Sequence, residues 1–429
     1  MSNATPRTNA ALRLPPLLKR LLHGMKGKPS LPTLESFFDA DLNAFAIAPI
    51  PLNLKREVSA QIDIRTPGKT FNRQYLDSIL PAGIGRDLFE LTLLHFLRCA
   101  APVIGGKGIR QKNQLYPWKI ALCFVPDETA NAGVRLSADK RANTVFILMN
   151  AGVLLEPLHR LCTTFSVPQF FESIRHALDK AGGPSLPDPI GYCKTHAKVG
   201  NWLSVIPNGN AVSMAISVCM KVAMAVLCHE AAHFMRGHLC YLQSALDYSG
   251  TLHEVPLEGE EDQLEPSLRR LLELDADRVG ARMAAVIWRE YDHPAVGPDD
   301  AQNESFYMET ILGIVSLNLI FEECQRTEKY YSPIWRTQHF LTEFNNNFFA
   351  VPPGVDPYGR DSPSNGVEQF KLYVAVCGAL ERAYRILGWG DGLSFDRFHA
   401  ETVTLDADTQ ALASLQEVLV LYLPHKWHF

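Results

Sequence analysis

The sequence has no CxxC pair and no large excess of charge of either sign, and both absences exclude classes of function. Its nine cysteines are scattered, which suits reduced thiols better than a disulfide framework. Cys228 and Cys240 flank a histidine cluster, but no second Cys/His pair completes a structural zinc site. The formal net charge of −5 gives no overall attraction for nucleic acid. These absences predict a cytoplasmic protein without a nucleic-acid partner.

Uninterrupted apolar runs of membrane-spanning length are also missing. Residues 211–228 are interrupted by Lys221, and residues 311–321 are too few, so both runs are predicted to be buried helices and no transmembrane segment is expected. Residues 1–28 contain basic residues but no acid, and their leucine patch is too short for a secretory signal. We interpret residues 1–35 as a basic, partly ordered tail, with association to a surface as the weaker alternative.

Hydrophobic periodicity separates a mixed N-terminal part from a helical C-terminal part. Residues 119–125 and 144–149 are short β-rich runs joined by a Gly/Asp/Asn-containing connector, which indicates two strands of a small sheet. Helical spacing covers residues 86–101 and 154–178, and a Gly/Pro-rich stretch follows at 182–191. Further helices are predicted at 211–237, 266–291, 306–326, 335–349, 366–388 and 405–420.

This pattern predicts an α+β fold that is mostly helical, with the small sheet preceding the long helix at 211–237. The Gly/Pro-rich stretch suggests a boundary between an N-terminal α+β part at 36–190 and a helical part at 191–429.

One pentapeptide carries the chemical signal: His229-Glu230-Ala231-Ala232-His233. Residues four apart on a helix project from nearly the same face, so the two histidines can bind one zinc ion. Glu230 is placed to reach a water beside the metal, where a general base is needed. A chance match in such a chain is expected only on the order of 0.02 times. The alternative, three polar residues facing solvent, fits poorly because the surrounding helix is apolar.

A third zinc ligand must come from a later segment. The arrangement with a third histidine six residues after His233 fails, because that position is Leu239. A glutamate from a later helix fits instead, since Glu273 lies forty positions after His233 and shares a helix face with Asp277. Glu273 is predicted to bind zinc, and Asp277 to accept a hydrogen bond from a ligand histidine. Without the upstream HExxH, such an ExxxD would usually be a solvated acidic face.

Two further polar residues belong to the same stretches of sequence. On an unbroken helix His238 would face nearly opposite to His229, so we interpret it as a residue at the helix end or as a hydrogen-bond partner behind the ligands. An ordinary polar histidine at a Gly-terminated helix is the alternative. Asp275 points roughly opposite to Glu273 and is expected to be exposed or paired with an arginine.

Taken together, HEAAHFMRGH at 229–238 and ELDADRVGARM at 273–283 resemble the gluzincin peptidases, which have HExxH and a downstream ExxAD. The resemblance is to the heat-shock and prenyl-protein peptidase group and, more loosely, to the phage-exclusion peptidases called Lit. It implies a zincin-like fold, a Zn²⁺ cofactor and hydrolysis of peptide bonds. The predicted lack of membrane helices departs from the membrane-bound members of that group.

Amide hydrolysis also needs a donor for the developing oxyanion. Residues 331–336 are preferred, because a proline-fixed turn into a helix can hold Tyr331 and Arg336 near the metal. The competing candidates are Tyr330, His253 and His339, and simple packing is the alternative for Tyr331. Residues 144–149 are the candidate sheet edge on which a peptide substrate would add as a strand.

The sequence therefore predicts a cytoplasmic zinc metallopeptidase with a protein or peptide substrate. Two alternatives stay open: a zinc hydrolase of a non-peptide amide, and a zinc-binding interaction protein without turnover. Glu230 argues against the second, because a structural site fills its fourth position with protein and needs no acid beside its first histidine. A sensor with a DNA-binding part is disfavoured, since no basic recognition helix follows residue 290.

Overall fold

The computed structural model describes residues 45–47, 119–125, 129–136, 144–165, 209–248, 250–253, 264–287, 300–324, 331–348, 363–388 and 408–423, with residues 167, 169, 170 and 172. They form a mostly helical protein with one small sheet, which is the α+β class expected from the sequence. The predictions for the tail at 1–35, the helix at 86–101 and the boundary at 182–191 lie outside these residues. The division of the chain at residue 190 stays a prediction.

The strands of the sheet are β1 (Phe45–Ile47), β2 (Lys119–Val125), β3 (Ala132–Leu136), β4 (Thr144–Asn150) and β5 (Leu252–His253). Their order is β1-β2-β4-β3-β5. Strands β1, β2 and β4 are parallel, whereas β3 is antiparallel to β4 and to β5. The predicted strands at 119–125 and 144–149 are confirmed as β2 and β4.

The connector between the two predicted strands contains β3, which sequence reasoning missed. Strand β3 is short and includes Gly133 and Arg135, which weaken the apolar signal of a strand. Because β3 folds back to pair with one side of β4 while β2 pairs with the other, β4 is an internal strand. The prediction that residues 144–149 form a free edge for substrate is therefore wrong.

The described helices are α1 (Gly152–Thr164), α2 (Gly209–Met235), α3 (His238–Ala245), α4 (Pro266–Ile287), α5 (Asp300–Cys324), α6 (Pro333–Phe348) and α7 (Pro363–Leu387). A helical segment at 408–419 follows and ends in a 3-10 turn at Val420–Tyr422. The helices predicted after residue 210 are thus confirmed, although α5 begins six residues before its predicted start at 306.

Helix α2 lies at the centre of the core. It packs against α1, α4, α5 and the strands β3 and β4, and one hydrophobic cluster joins side chains of the sheet and of the helices. Its window Val218–Met235 is long and apolar enough to cross a membrane, and no other described helix is, but this window is wholly buried inside the protein. The polar residues near its end therefore lie in a dry interior, where their polar atoms need partners that replace water.

Gly280 sets the distance between α2 and α4. A Cβ at this position would lie 2.9 Å from both the Cα and the backbone nitrogen of His229, so the two helix backbones touch where the HExxH motif begins. Glu273, Asp277 and Gly280 are spaced i, i+4 and i+7, which places all three on one face of α4. This close packing directs the two carboxylates towards the histidines of α2.

Candidate metal centre

Three buried side chains from α2 and α4 each bring one ligand atom to a common point. The Nε2 atoms of His229 and His233 are 3.1 Å apart, and Oε2 of Glu273 lies 3.2 Å from the first and 3.6 Å from the second. Ligand atoms around a tetrahedral zinc, with bonds of about 2.0–2.1 Å, are separated by about 3.3 Å. The structure thus brings the three predicted ligands into a triangle of the right size. Among the described residues, no other group of His, Cys, Asp or Glu is arranged to hold a metal.

The charge states of these groups suit a cation. Burial lowers the pKa of His233 to about 4 despite the opposing effect of Glu273, so the imidazole is neutral and its lone pair is available. Burial also disfavours the charge on Glu273, but His233, His229 and Arg269 together outweigh it and hold the pKa of Glu273 well below its ordinary value. Two imidazoles and one carboxylate are a donor set typical of catalytic zinc.

His229 is oriented by Asp277 and Arg336, and we call these three residues the His229 branch. Nδ1 of His229 lies 2.9 Å from Oδ1 of Asp277. Arg336, on α6, donates from Nε and Nη2 to the two carboxylate oxygens of Asp277, both at 2.8 Å. Because Nε2 of His229 faces the other ligands, its ring proton belongs on Nδ1, where Asp277 accepts it. This geometry supports the prediction that Asp277 accepts a hydrogen bond from a ligand histidine.

The charge on Asp277 is maintained by the same arginine. Burial disfavours ionisation, but the charge of Arg336 and the hydrogen bonds from Arg336 and His229 prevail, so the pKa of Asp277 lies well below its ordinary value. An ionised Asp277 accepts the proton of Nδ1 firmly and increases the basicity of Nε2. The branch therefore favours the tautomer that metal binding requires.

His233 is oriented through a longer line of groups, and we call His233, His238 and Asp275 the His233 branch. Nδ1 of His233 lies 2.9 Å from Nδ1 of His238, and Nε2 of His238 lies 3.1 Å from Oδ2 of Asp275. With Nε2 of His233 facing the metal position, its Nδ1–H donates to His238, which in turn donates from Nε2 to Asp275. Arg236 donates to Oδ2 of Asp275 at 2.7 Å, and Gln416 donates to Oδ1 at 2.6 Å.

The turn at Gly237 makes the His233 branch possible. Gly237 has a φ of 77°, in the left-handed region, so α2 ends and His238 begins α3 in a new direction. His238 is fully buried and lies beside His233, as a partner behind a ligand, which was one of the two interpretations of the sequence. Asp275 is paired with an arginine, as one alternative expected, but it is buried and not exposed.

Arg269 was missed by sequence reasoning, although its spacing of four residues from Glu273 was a signal. Its Nε donates to Oε1 of Glu273 at 3.1 Å, and its Nη2 donates to the backbone carbonyl of His253 on β5. The contact engages Oε1 and leaves Oε2 directed at the histidines. Arg269 therefore connects β5 to Glu273, the third predicted ligand.

The two predicted oxyanion donors have different surroundings. Arg336 lies beside the site but its guanidinium is engaged by Asp277. The hydroxyl of Tyr331 donates to Asp408, and its ring stacks on Trp335 with 4.4 Å between centroids. Burial and the hydrogen bond to Asp408 raise the pKa of Tyr331. These contacts hold Tyr331 against the C-terminal segment instead of the ligands, and the oxyanion role of both residues stays a prediction.

The other residues singled out from the sequence have varied positions. Glu230 is buried on α2 directly after His229, and its role as the general base stays a prediction. Among the competing donors, His339 stacks on Trp335 with 5.1 Å between centroids, and His253 contributes its carbonyl to Arg269. Tyr330 lies outside the described residues.

A small cleft lies beside His229. Its walls come from α2, α4, α5 and α6 and include apolar side chains such as Val226, Ile314 and Phe340. Its polar groups, besides His229, are Asp277, Asn318 and Arg336. The space next to the proposed ligand His229 is therefore mostly apolar.

Comparison with known proteins finds no match to this chain among family models, curated proteins or solved structures.

Proposed function

We propose that this protein is a zinc-dependent metallopeptidase with a zincin-like active site, which cleaves peptide bonds in a protein or peptide substrate in the cytoplasm. The observation that carries the proposal is the convergence of Nε2 of His229, Nε2 of His233 and Oε2 of Glu273 within 3.1–3.6 Å of one another. Each imidazole has a separate partner on its other nitrogen. Such paired support is what a metal-binding histidine needs.

The residues of the site fit distinct roles in hydrolysis. Zinc, when bound, would polarise the scissile carbonyl and lower the pKa of a water molecule. Glu230, one position after the first ligand, is proposed to take the proton from the attacking water and to return it to the leaving amine. Asp277 and His238 hold the two imidazoles in the orientation and tautomer that leave Nε2 free.

A catalytic site is favoured over a structural one by the number and kind of groups. Among the described residues the metal-binding group has three members, whereas a structural zinc site uses four protein ligands. Glu230 follows His229 directly on α2 and is only 1% exposed, and a structural zinc site has no need for an acid at that position.

The cleft beside the site supports a peptide substrate, and the cysteines support a location in the cytoplasm. The mostly apolar lining of the cleft beside His229 favours an apolar group of a substrate over a charged one at that position. Cys162, Cys219, Cys228, Cys240 and Cys377 form no disulfide, as is usual in a reducing compartment.

The test compares the purified wild-type protein with Glu230→Gln and His233→Ala. Zinc content is measured by mass spectrometry, and each protein is incubated with a proteome that is then scanned for new N-termini. We expect about one zinc per chain in wild type and Glu230→Gln, little in His233→Ala, and new termini with wild type alone.

The outcomes separate the alternatives. Equal cleavage by Glu230→Gln would show that Glu230 is not the general base. Zinc binding without new termini would favour a non-peptide amide as the substrate, and no zinc in the wild-type protein would remove the basis of the proposal.

A further inference from the structure

The C-terminal segment, residues 408–423, lies on the surface next to α4. In its helical part, positions 408, 412, 415, 416 and 419 are buried or half-buried, whereas the positions between them are exposed. This spacing is that of one face of a single helix. The segment is therefore attached along one stripe of its surface.

The first anchor of the segment is at its N-terminal end. Asp408 accepts hydrogen bonds from Nε of Arg270, at 2.8 Å, and from the hydroxyl of Tyr331. Leu412 is buried in a small apolar cluster with Leu271 and Leu274 of α4. These contacts fix the register of the segment along α4.

The second anchor reaches the His233 branch. Nε2 of Gln416 donates to Oδ1 of Asp275 at 2.6 Å, whereas Arg236 approaches the same oxygen only to 3.5 Å. Oδ2 of the same carboxylate accepts the proton of His238, which lies behind the ligand His233. Gln416 is thus three hydrogen bonds away from the proposed zinc ligand.

The third anchor is at the turn that directs His238. The carbonyl oxygen of Tyr422 lies 2.8 Å from the position of a Cβ at Gly237, and the rings of Tyr422 and Tyr241 meet edge to face at 5.3 Å. Leu419, one turn before, is 1% exposed and belongs to the main core. The segment therefore contacts both the carboxylate and the turn that hold His238 in place.

We infer that residues 408–423 form a clasp on the His233 branch, in which Gln416 is a positioning residue for the metal. By holding Asp275, Gln416 holds His238, and by holding His238 it keeps the ring of His233 directed at the metal position. The inference rests on the proposed metal site. Leu412 and Leu419 are the buried apolar side chains of the helical part, so the clasp can loosen locally without unfolding the core, and metal affinity then depends on the C-terminus.

The test measures zinc affinity by competition with a chromophoric chelator, and in parallel the thermal unfolding of the metal-free protein. Gln416→Leu removes the donor to Asp275, and Gln410→Leu makes the same change at an exposed position of the same helical segment. We expect about 10-fold weaker zinc binding for Gln416→Leu with little change in the unfolding temperature, and wild-type affinity for Gln410→Leu. Gln416→Asn, which keeps a shortened donor, is expected to lie between the two.

Each contrary outcome identifies what fails. Wild-type affinity in Gln416→Leu, in a protein that binds one zinc, would overturn the clasp and leave the metal site standing. Equal losses in Gln410→Leu and Gln416→Leu would show a general effect on the helix and would also overturn it. A wild-type protein that binds no zinc would remove the metal site and the clasp together.

Discussion

The two proposed histidine ligands occupy neighbouring turns of one helix, yet they are held in different ways. His229 is supported directly by Asp277, whose charge is matched by the bidentate Arg336. His233 is supported by an imidazole nitrogen of His238, and the matching carboxylate Asp275 lies one step further away. The His229 branch is built entirely from packed helices, whereas the His233 branch also depends on a glycine turn and on the C-terminal segment.

This difference predicts how strongly each histidine is held in its orientation. A charged acceptor in direct contact with Nδ1 forms a stronger hydrogen bond than a neutral one, and each further step in a chain of hydrogen bonds weakens the effect of a distant group. We therefore expect changes in the His229 branch to affect zinc binding more than equivalent changes in the His233 branch.

The largest loss of zinc binding is expected when a ligand itself is removed. This loss should be the same for the ligands of the two branches. His229→Ala, His233→Ala and Glu273→Ala should each lose stoichiometric zinc, because the open site needs all three protein ligands. Zinc content after gel filtration measures this loss, and His339→Ala serves as a control at a histidine outside the triangle. Retention of one tightly bound zinc by only one of the two histidine variants would show that the two histidines are not equivalent.

The next effect concerns the carboxylate of the His229 branch. Asp277→Asn should weaken zinc binding by about 10- to 100-fold, and should lower the free energy of unfolding by about 3–5 kcal/mol because buried Arg336 loses its charged partner. Chelator competition and urea unfolding measure the two quantities. Asp277→Asn combined with Arg336→Met should recover part of the stability but not the affinity. Recovery of both would show that Asp277 acts only through folding.

A smaller effect is expected in the His233 branch. His238→Phe keeps a ring in the buried position but removes the acceptor for Nδ1–H of His233, so zinc affinity should fall by about 10-fold. The same chelator assay, run beside Asp277→Asn, compares the branches directly. A loss in His238→Phe that exceeds the loss in Asp277→Asn would reverse the proposed ranking.

The smallest effect tests the packing that brings the helices together. Gly280→Ala places a Cβ against the backbone of His229 and should lower the free energy of unfolding by about 1–3 kcal/mol. Gly378→Ala is the matched control, because its Cβ would have no atom within 4 Å, and it should be neutral or stabilising by up to about 1 kcal/mol through helix propensity. Urea unfolding measures both, and an equal response would show that α2 and α4 are not in critical contact.

Much of the fold could be predicted because its elements are long and strongly periodic. The strands β2 and β4 and the helices after residue 210 follow directly from patterns of two and of 3.6 residues. Strand β3 was missed because five residues that include Gly133 give too weak a pattern. The mistaken sheet edge followed from that omission, since pairing between strands is not visible along the chain.

The proposed ligands of the site could be predicted for the same local reason, whereas most of the groups that support them could not. Arg336 was assigned to an oxyanion from its place at a helix start, whereas its contact with Asp277 depends on how α6 packs on α4. Arg236 and Gln416 carried no signal at all, because a single arginine or glutamine on a helix is usually solvated.

By itself, the sequence determined the two helical motifs and the faces they present, because the spacing of side chains on a helix is a local property of the backbone. It thereby determined that His229, His233 and Glu273 are able to meet. The tertiary structure decided which carboxylate supports which histidine, how Gly237 redirects His238, and that Gln416 reaches Asp275 across 141 positions of the chain. Those contacts arise from the packing of whole elements against one another, and no pattern within a short window of sequence predicts them.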